Sequence, residues 1–259
     1  MNNSLRILFV TPYVPASIRT RPNGFLKYLC KKHNVTVVCF VYPAWEAAYL
    51  GELNNFCDDV YPVIPTKYES YTRALLGLPS RTPISIAICS SPRLKSIIRR
   101  QINENKFDII HTEFIRAAQY TSEIKDIPKV FDAVDSMNLA FQRAFHNPNS
   151  NLIIRALALE EWLKIKSYEP RMLRSFDHIV VSSPVDRKFL LIENGPDVEV
   201  IPNGIDLNYF HWDDSERDEY QLVFLGKMNY YVNVDSMVHF SKTYCLKFKQ
   251  FVHKLDYQL

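Results

Sequence analysis

Glycine is scarce in this 259-residue chain: Gly24, Gly51, Gly77, Gly195, Gly204 and Gly226 are nowhere closer together than nine residues. A G-x-G-x-x-G fingerprint and a Walker A loop both need closely spaced glycines, so neither exists here. Classical dinucleotide-binding oxidoreductases and P-loop nucleotide hydrolases thereby lose their main sequence support. Any phosphate would be held by single glycines and helix N-termini. Long apolar runs are missing as well. The N-terminus, MNNSLRILFVTPY, offers four consecutive apolar residues before Thr11, whereas a secretory core needs about 7–15. No segment approaches the ~18–20 apolar residues of a membrane span. The five cysteines (Cys30, Cys39, Cys57, Cys89 and Cys245) are odd in number and contain no C-x-x-C pair, which reads as free thiols in a reducing compartment. The seven histidines lack metal-ligand spacing such as H-E-x-x-H, so no metal is expected. There is no G-x-S-x-G elbow for a serine hydrolase. The expected location is the cytoplasm, with peripheral contact to the inner face of the membrane left open.

What is present describes a globular protein: 47% hydrophobic and 23% charged residues, close to the average for such domains. The length suggests one large domain plus a remainder. The net charge of +3 is unevenly spread, because residues 1–45 hold Arg6, Arg19, Arg21, Lys27, Lys31 and Lys32 and no acid. Local charge counting therefore predicts that this end attracts anions. The run SPRLKSIIRR (91–100) adds a basic amphipathic helix, read as a solvated face ahead of an anionic-lipid contact. Nucleic acid is not an expected partner, since the pI is only about 8.5 and no recognition motif accompanies the basic residues.

Short continuous apolar runs predict strands at 6–10, 35–41, 60–64, 107–111, 129–133, 178–183 and 198–201. Unbroken rather than alternating hydrophobicity implies strands covered on both faces, as in a parallel sheet. The fold class is thus α/β, a Rossmann-like parallel sheet with helices on both faces. Pro22 is placed to open a helix through NGFLKYLCKKH, and a long helix is expected over 151–176, kinked or restarted at Pro170. The predicted domains are 1–210, a charged linker at 211–219, and an incomplete second domain at 220–259 that begins with the strand YQLVFLG (220–226) and continues as a helix from about 233 to 254.

Ligands of open parallel sheets bind beyond the carboxyl ends of the strands, which directs attention to polar residues there. After the first strand, Arg19 and Arg21 precede the expected helix N-terminus and Gly24 would permit close approach. After FDII, His111 and Glu113 fall on one side of an extended strand end, where an imidazole and a carboxylate could orient a sugar hydroxyl or assist proton transfer. After KVF, Asp132 or Ser136 suits a helix cap, and Asp135 stays open as a hydroxyl ligand.

Six segments, RILFVTPYVPASIRTRPNGFLKYLCKKHNVTVVCF, FDIIHTEF, VFDAVDS, YEPRMLRSFDHIVVSSPVDRKFL, VEVIPNGIDLNYF and LVFLGKMNYYVNVDSM, together resemble in order and spacing the N-terminal half of a family-4-type (glycosyl transferases group 1), GT-B-fold retaining glycosyltransferase, among them bacterial enzymes of surface-polysaccharide synthesis. That resemblance implies two Rossmann-like domains facing across a cleft, the acceptor on the first and the nucleotide-sugar mainly on the second. It implies that Arg21, Asn23 and Gly24 lie in the cleft loop after strand one, with Arg19 beside them on the acceptor side. It places His111 and Glu113 near the transferred sugar and Asp135 on the acceptor side. Asn203 and Gly204 would sit at the interdomain crossover, and Gly226 and Lys227 would approach the donor diphosphate. The expected cofactor is none, the nucleotide-sugar (UDP or GDP type) being a co-substrate. The expected partners are that donor, a glycan or lipid-linked acceptor, and a complementing C-terminal half, because the chain ends before the basic clamp and E-x7-E carboxylates that the resemblance calls for. The implied function is transfer to a cell-envelope glycan by a truncated or split enzyme, inactive alone. The alternatives are a non-catalytic module for an anionic glycan, lipid or partner, and a sugar-nucleotide epimerase-like protein.

Overall fold

The computed structural model describes residues 4–148, 150–207, 210, 222–226, 228 and 231–245. They fall into two units, residues 1–205 and 206–259. The first carries seven strands: β1 (Arg6–Thr11), β2 (Asn34–Phe40), β3 (Asp59–Val63), β4 (Ile109–Glu113), β5 (Lys129–Val134), β6 (His178–Val181) and β7 (Val198–Val200). All pair in parallel, in the order β3-β2-β1-β4-β5-β6-β7. The chain order reverses between β1 and β4, the switch point at which doubly wound sheets open a crevice at the strand C-termini.

The helices are α1 (Thr20–Leu29), α2 (Leu50–Leu53), α3 (Lys67–Gly77), α4 (Ile84–Ala87), α5 (Pro92–Glu104), α6 (Ile115–Thr121), α7 (Met137–His146), α8 (Leu152–Leu173) and α9 (Pro184–Leu190). Several start where the sequence offers a side-chain cap. Ser91, Ser136, Asn151 and Ser183 accept from the third backbone N–H of α5, α7, α8 and α9, and Thr66 forms a reciprocal capping box with Glu69 on α3. Each such cap contributes on the order of 1 kcal/mol.

Alternate residues of the central strands feed two cores on opposite faces. Ile7, Phe9, Val35 and Val37 pack with Leu26 of α1. Leu8, Val10, Val38 and Phe40 pack with Leu94 and Ile98 of α5 and with Ala117 and Tyr120 of α6. A third cluster joins Phe131, Ala133, Ile179 and Val181 to Ile165, Tyr168 and Leu173 of α8. β3 is an edge strand, and its Pro62 is tolerated there because an edge need not donate on both sides.

All seven expected strands are present, with shifted ends. β4 starts and finishes two residues later than expected, because Phe107 packs into the core below the ladder and the Asp108 carboxylate accepts the Arg6 N–H at 2.7 Å. His111 and Glu113 consequently lie within the strand. α1 starts at Thr20, two residues before Pro22, so Arg21, Asn23 and Gly24 belong to its first turns and not to a loop. α8 runs through Pro170 without a restart, its C-terminal turn held by Tyr168 and Leu173.

In the second unit, α10 (Tyr231–Phe240) continues as a π-type turn over Ser241–Cys245. The strand expected at 220–226 is absent among its described residues, 222–225, which have no ladder partner; an isolated strand leaves its backbone groups unpaired by protein. The helix expected to continue to residue 254 passes outside the described residues.

Burial along α8 gives a direct check. Ile165 is fully buried whereas Leu163, two positions away, is 63% exposed. Ile165→Ala should lower unfolding free energy by about 2–5 kcal/mol and Leu163→Ala by under about 0.5 kcal/mol, read as shifts in the urea midpoint.

Candidate functional site

The site forms where α1 crosses the C-terminal ends of β1, β4 and β5. In a parallel sheet, residues in register point to the same face, and Phe9 of β1 pairs with His111 of β4 while Glu113 of β4 pairs with Asp132 of β5. All four lie on the α1 side. Thr112 points the other way, to the buried hydroxyl of Thr121 at 2.8 Å. Phe9 stacks on the His111 ring with centroids 4.4 Å apart, and Phe25 of α1 meets it edge-on at 6.2 Å.

Arg21 holds the assembly. Its Nε donates to both Asp132 carboxylate oxygens at 2.9 and 3.2 Å, its Nη2 donates to Oδ1 at 3.1 Å, and its Nη1 reaches the Ile201 carbonyl at 2.7 Å and Asn203 Oδ1 at 3.1 Å. Both charges are buried, with side-chain exposures of 5% and 0%. Asp132 also shapes the backbone beside it. Its Oδ1 accepts the Val134 N–H at 3.0 Å and its carbonyl accepts the Phe114 N–H at 2.7 Å. Those two donors are non-glycine residues at positive φ, 62° and 64°, each conformation costing on the order of 1–3 kcal/mol.

Around this pair lies a second shell of charge. Tyr13, just after β1, donates its hydroxyl to Glu113 Oε1 at 2.5 Å. Arg19 stacks over the Tyr13 ring at 4.5 Å and pairs with the fully buried Glu46 at 2.6 Å, whose other oxygen accepts the Val14 N–H at 3.1 Å. Burial, together with the like charge of Asp132, pushes the Glu113 carboxyl up to about 8. Burial pulls His111 down to about 4. Near neutrality the site therefore presents a protonated carboxyl and a neutral imidazole. Glu113 Oε2 and His111 Nε2 are both buried and have no hydrogen-bond partner among the described residues. In an interior where polar atoms are almost always satisfied, two such atoms on one strand face mark this strand end as the candidate site.

The structure thus brings together His111, Glu113, Arg21 and Asn203. Asp135, exposed after β5, accepts from Ser182 at 3.0 Å, and partial burial and the neighbouring Asp186 raise its carboxyl pKa. Asn23 is buried, its amide 3.4 Å from the Pro15 carbonyl. Gly24 is exposed on α1, with open space where a Cβ would stand. Gly204 is exposed with equally open surroundings. At Gly226, in the second unit, a Cβ would lie 2.8 Å from the Phe224 ring and 2.9 Å from the Asn233 amide, so a larger residue there would need those side-chain ends to shift. Lys227 lies outside the described residues.

Of the six cations at the N-terminal end, Arg19 and Arg21 are matched by Glu46 and Asp132 from beyond residue 45. The basic run on α5 is likewise a salt-bridged face, Lys95 and Arg99 lying 2.8 and 3.8 Å from Glu123 and Arg100 lying 3.8 Å from Glu104. Sequence reasoning missed Tyr13, which the strand-end rule would have flagged; of the two cap candidates, Asp132 and Ser136, it is Ser136 that caps α7. Among the described residues no cluster of three or more His, Cys, Asp or Glu could hold a metal, and no helix is long and apolar enough to cross a membrane.

Two outcomes test this electrostatic arrangement. Arg21→Met should destabilise by about 3–5 kcal/mol because it strands a buried carboxylate, and Arg21→Met/Asp132→Asn should recover part of that loss in the same denaturation series. Glu113 ionises near its ordinary 4.5 when unfolded but only near 8 when folded. The folded state therefore binds the extra proton between these values, and stability drains away as pH rises through that window. Glu113→Gln, which cannot ionise, should gain stability relative to wild type between about pH 5 and pH 8.5, as read by urea midpoints.

The model of Glycosyltransferase Family 4 matches residues 24–209 of the chain. Among solved structures, the chain is similar to Phytolacca americana UGT2 complexed with UDP-2fluoro-glucose and pterostilbene, at 14% identity and a TM-score of 0.49, covering 76% of this chain and 54% of that one. It is also similar to TcCGT1 in complex with UDP, at 10% identity and a TM-score of 0.41, covering 70% and 45% respectively. The chain spans about half the length of these structures. No curated protein matches.

Proposed function

Because the chain belongs to Glycosyltransferase Family 4, we propose that residues 1–205 form the acceptor-side half of a retaining, metal-independent enzyme that moves a sugar from a UDP- or GDP-type nucleotide-sugar to a cell-envelope glycan or lipid-linked acceptor. The observation that carries this reading is the pair of orphaned atoms, Glu113 Oε2 and His111 Nε2, at the switch point of the sheet. A neutral carboxyl donates and a neutral imidazole donates or accepts, which suits the hydroxyl groups of a sugar better than a formal anion. Asp135 supplies a further acceptor at the neighbouring strand end. Asn203, oriented by Arg21, stands where the chain leaves the sheet. Gly226 and Lys227 are assigned to the donor diphosphate by the family resemblance. Stabilising that leaving group is a task for basic and backbone N–H groups, so the chemistry rests on positioning and electrostatics. On this reading the enzyme works in the cytoplasm, where its donor would be available to it.

The consumption of Arg19 and Arg21 by internal acids supports this reading over a general anion-binding module, because neither cation is unpaired. The test uses the full chain titrated calorimetrically with UDP- and GDP-sugars and with free and lipid-linked glycans. Glycan binding is expected, weakened about tenfold or more in His111→Ala through loss of a hydrogen bond in a buried site. Wild-type binding should also decline as Glu113 ionises through about pH 8, and Glu113→Gln should remove that decline. Glycan binding that ignores both substitutions but collapses with added salt would support the anion-binding module. Interconversion of nucleotide-sugars without an acceptor would support an epimerase.

A further inference from the structure

Cys30 and Cys57 stand 27 residues apart in sequence, yet their Sγ atoms are 3.7 Å apart. Cys30 caps the C-terminal end of α1 and is partly exposed, whereas Cys57, between α2 and β3, is 9% exposed and packs in the core beside Leu26 and Leu53. Both are free thiols. A disulfide requires sulfurs about 2.05 Å apart, so bonding asks for a closure of about 1.7 Å from the observed 3.7 Å. Neither the sheet nor the Arg21–Asp132 pair lies between them. From this placement we propose that Cys30 and Cys57 form a reversible thiol–disulfide modification site, Cys30 reacting first with a low-molecular-weight disulfide of the glutathione class and Cys57 resolving it.

The chemistry balances with that co-reactant alone. The Cys30 thiolate attacks one sulfur of oxidised glutathione, forming a mixed disulfide and expelling one glutathione thiolate, which takes up the proton Cys30 lost. Cys57, deprotonated in turn, attacks the Cys30 sulfur and expels the second glutathione. The two protein thiols are oxidised, the glutathione disulfide is reduced to two thiols, and no other electron carrier is needed. The order of reaction follows from exposure and from the contact between the sulfurs. The Cys57 thiol supports the Cys30 thiolate and lowers its pKa, while the same contact, burial and the nearby Asp58 push Cys57 up. Cys39 and Cys89 are buried at 0% and 1% exposure with thiols raised chiefly by burial, and are inert by the same criteria. The cross-link would tie the C-terminal end of α1, whose first turn carries Arg21, to the segment leading into β3.

The experiment exposes the full-length native protein to graded ratios of oxidised to reduced glutathione, then traps and counts thiols and maps linked peptides by mass spectrometry. The expected result is a fall from five titratable thiols to three, a single Cys30–Cys57 linked peptide, and full reversal by excess reduced glutathione. Cys57→Ser should stop at a stable glutathione adduct on Cys30. Cys30→Ser, at the more exposed position, should show no adduct at Cys57 in the same time. With iodoacetamide, wild-type Cys30 should react at least about tenfold faster than Cys39 or Cys89. The proposal is overturned if the native protein keeps all five thiols at high oxidant ratio, or if the linked peptide joins any other pair. It is also overturned if Cys30 alkylates no faster than the buried cysteines. The thiol count does not depend on sugar transfer, so it stands or falls separately from the functional reading.

Discussion

The ion pair between Arg21 and Asp132 is the constraint on which the candidate site depends. It joins the first turn of α1 to the end of β5, and through the Ile201 carbonyl and Asn203 it also fixes the segment that leaves β7. These contacts span more than a hundred residues of sequence, so they form only when the sheet is complete. A buried pair of this kind contributes little net stability compared with an apolar equivalent, because desolvation opposes the attraction. Its value here is geometric. The guanidinium fork, with all its donors in one plane, holds a carboxylate, a carbonyl and an amide oxygen in one fixed arrangement, which a lysine in its place could not do.

Asp132 also explains how a chain poor in glycine makes the sharp exits from β4 and β5. None of the described glycines has positive φ; Phe114, Val134 and Asn194 occupy that region instead. A β-branched residue there is unfavourable, yet Val134 and Phe114 each donate their backbone N–H to Asp132. The strain sits where the strands β4 and β5 end, next to Glu113 and Asp135. Backbone strain held by a network and concentrated at strand ends is consistent with a site whose side chains must be aimed rather than merely packed.

The seven strands were legible because parallel strands buried on both faces must be apolar without interruption, and β1 and β2 are buried along all but their first residues. His111 and Glu113 were legible because period-two geometry puts them on one face whatever the strand's exact ends. What the sequence could not show was which charges meet. Arg19 and Arg21 read as unpaired cations because Glu46 and Asp132 lie outside the window in which charge was counted, and Asp132 and Ser136 both read as cap candidates because local spacing permits either. Pro22 misplaced the start of α1 by two residues, and with it Arg21, since proline fits any position of a first helical turn and not only the first; the loop placement of Asn23 and Gly24 came from the family resemblance. The Phe224 ring and Asn233 amide that crowd Gly226 come from folding, not from anything visible in its sequence pattern.

The same pairing decides the chemical character of Glu113. Three acids, Glu46, Glu113 and Asp132, are fully buried near β1, β4 and β5, and two arginines enter from the α1 region. Arg19 goes to Glu46 and Arg21 to Asp132, leaving Glu113 with a tyrosine hydroxyl and a carboxylate neighbour. An acid in that position is neutralised most cheaply by keeping its proton. Near neutrality Glu113 therefore keeps its proton and carries a hydrogen-bond donor at the strand end. His111, neutral for the same reason of burial, is the group beside it with a lone pair to offer. The division of labour between the two is set less by their own identities than by which of the three acids each arginine can reach.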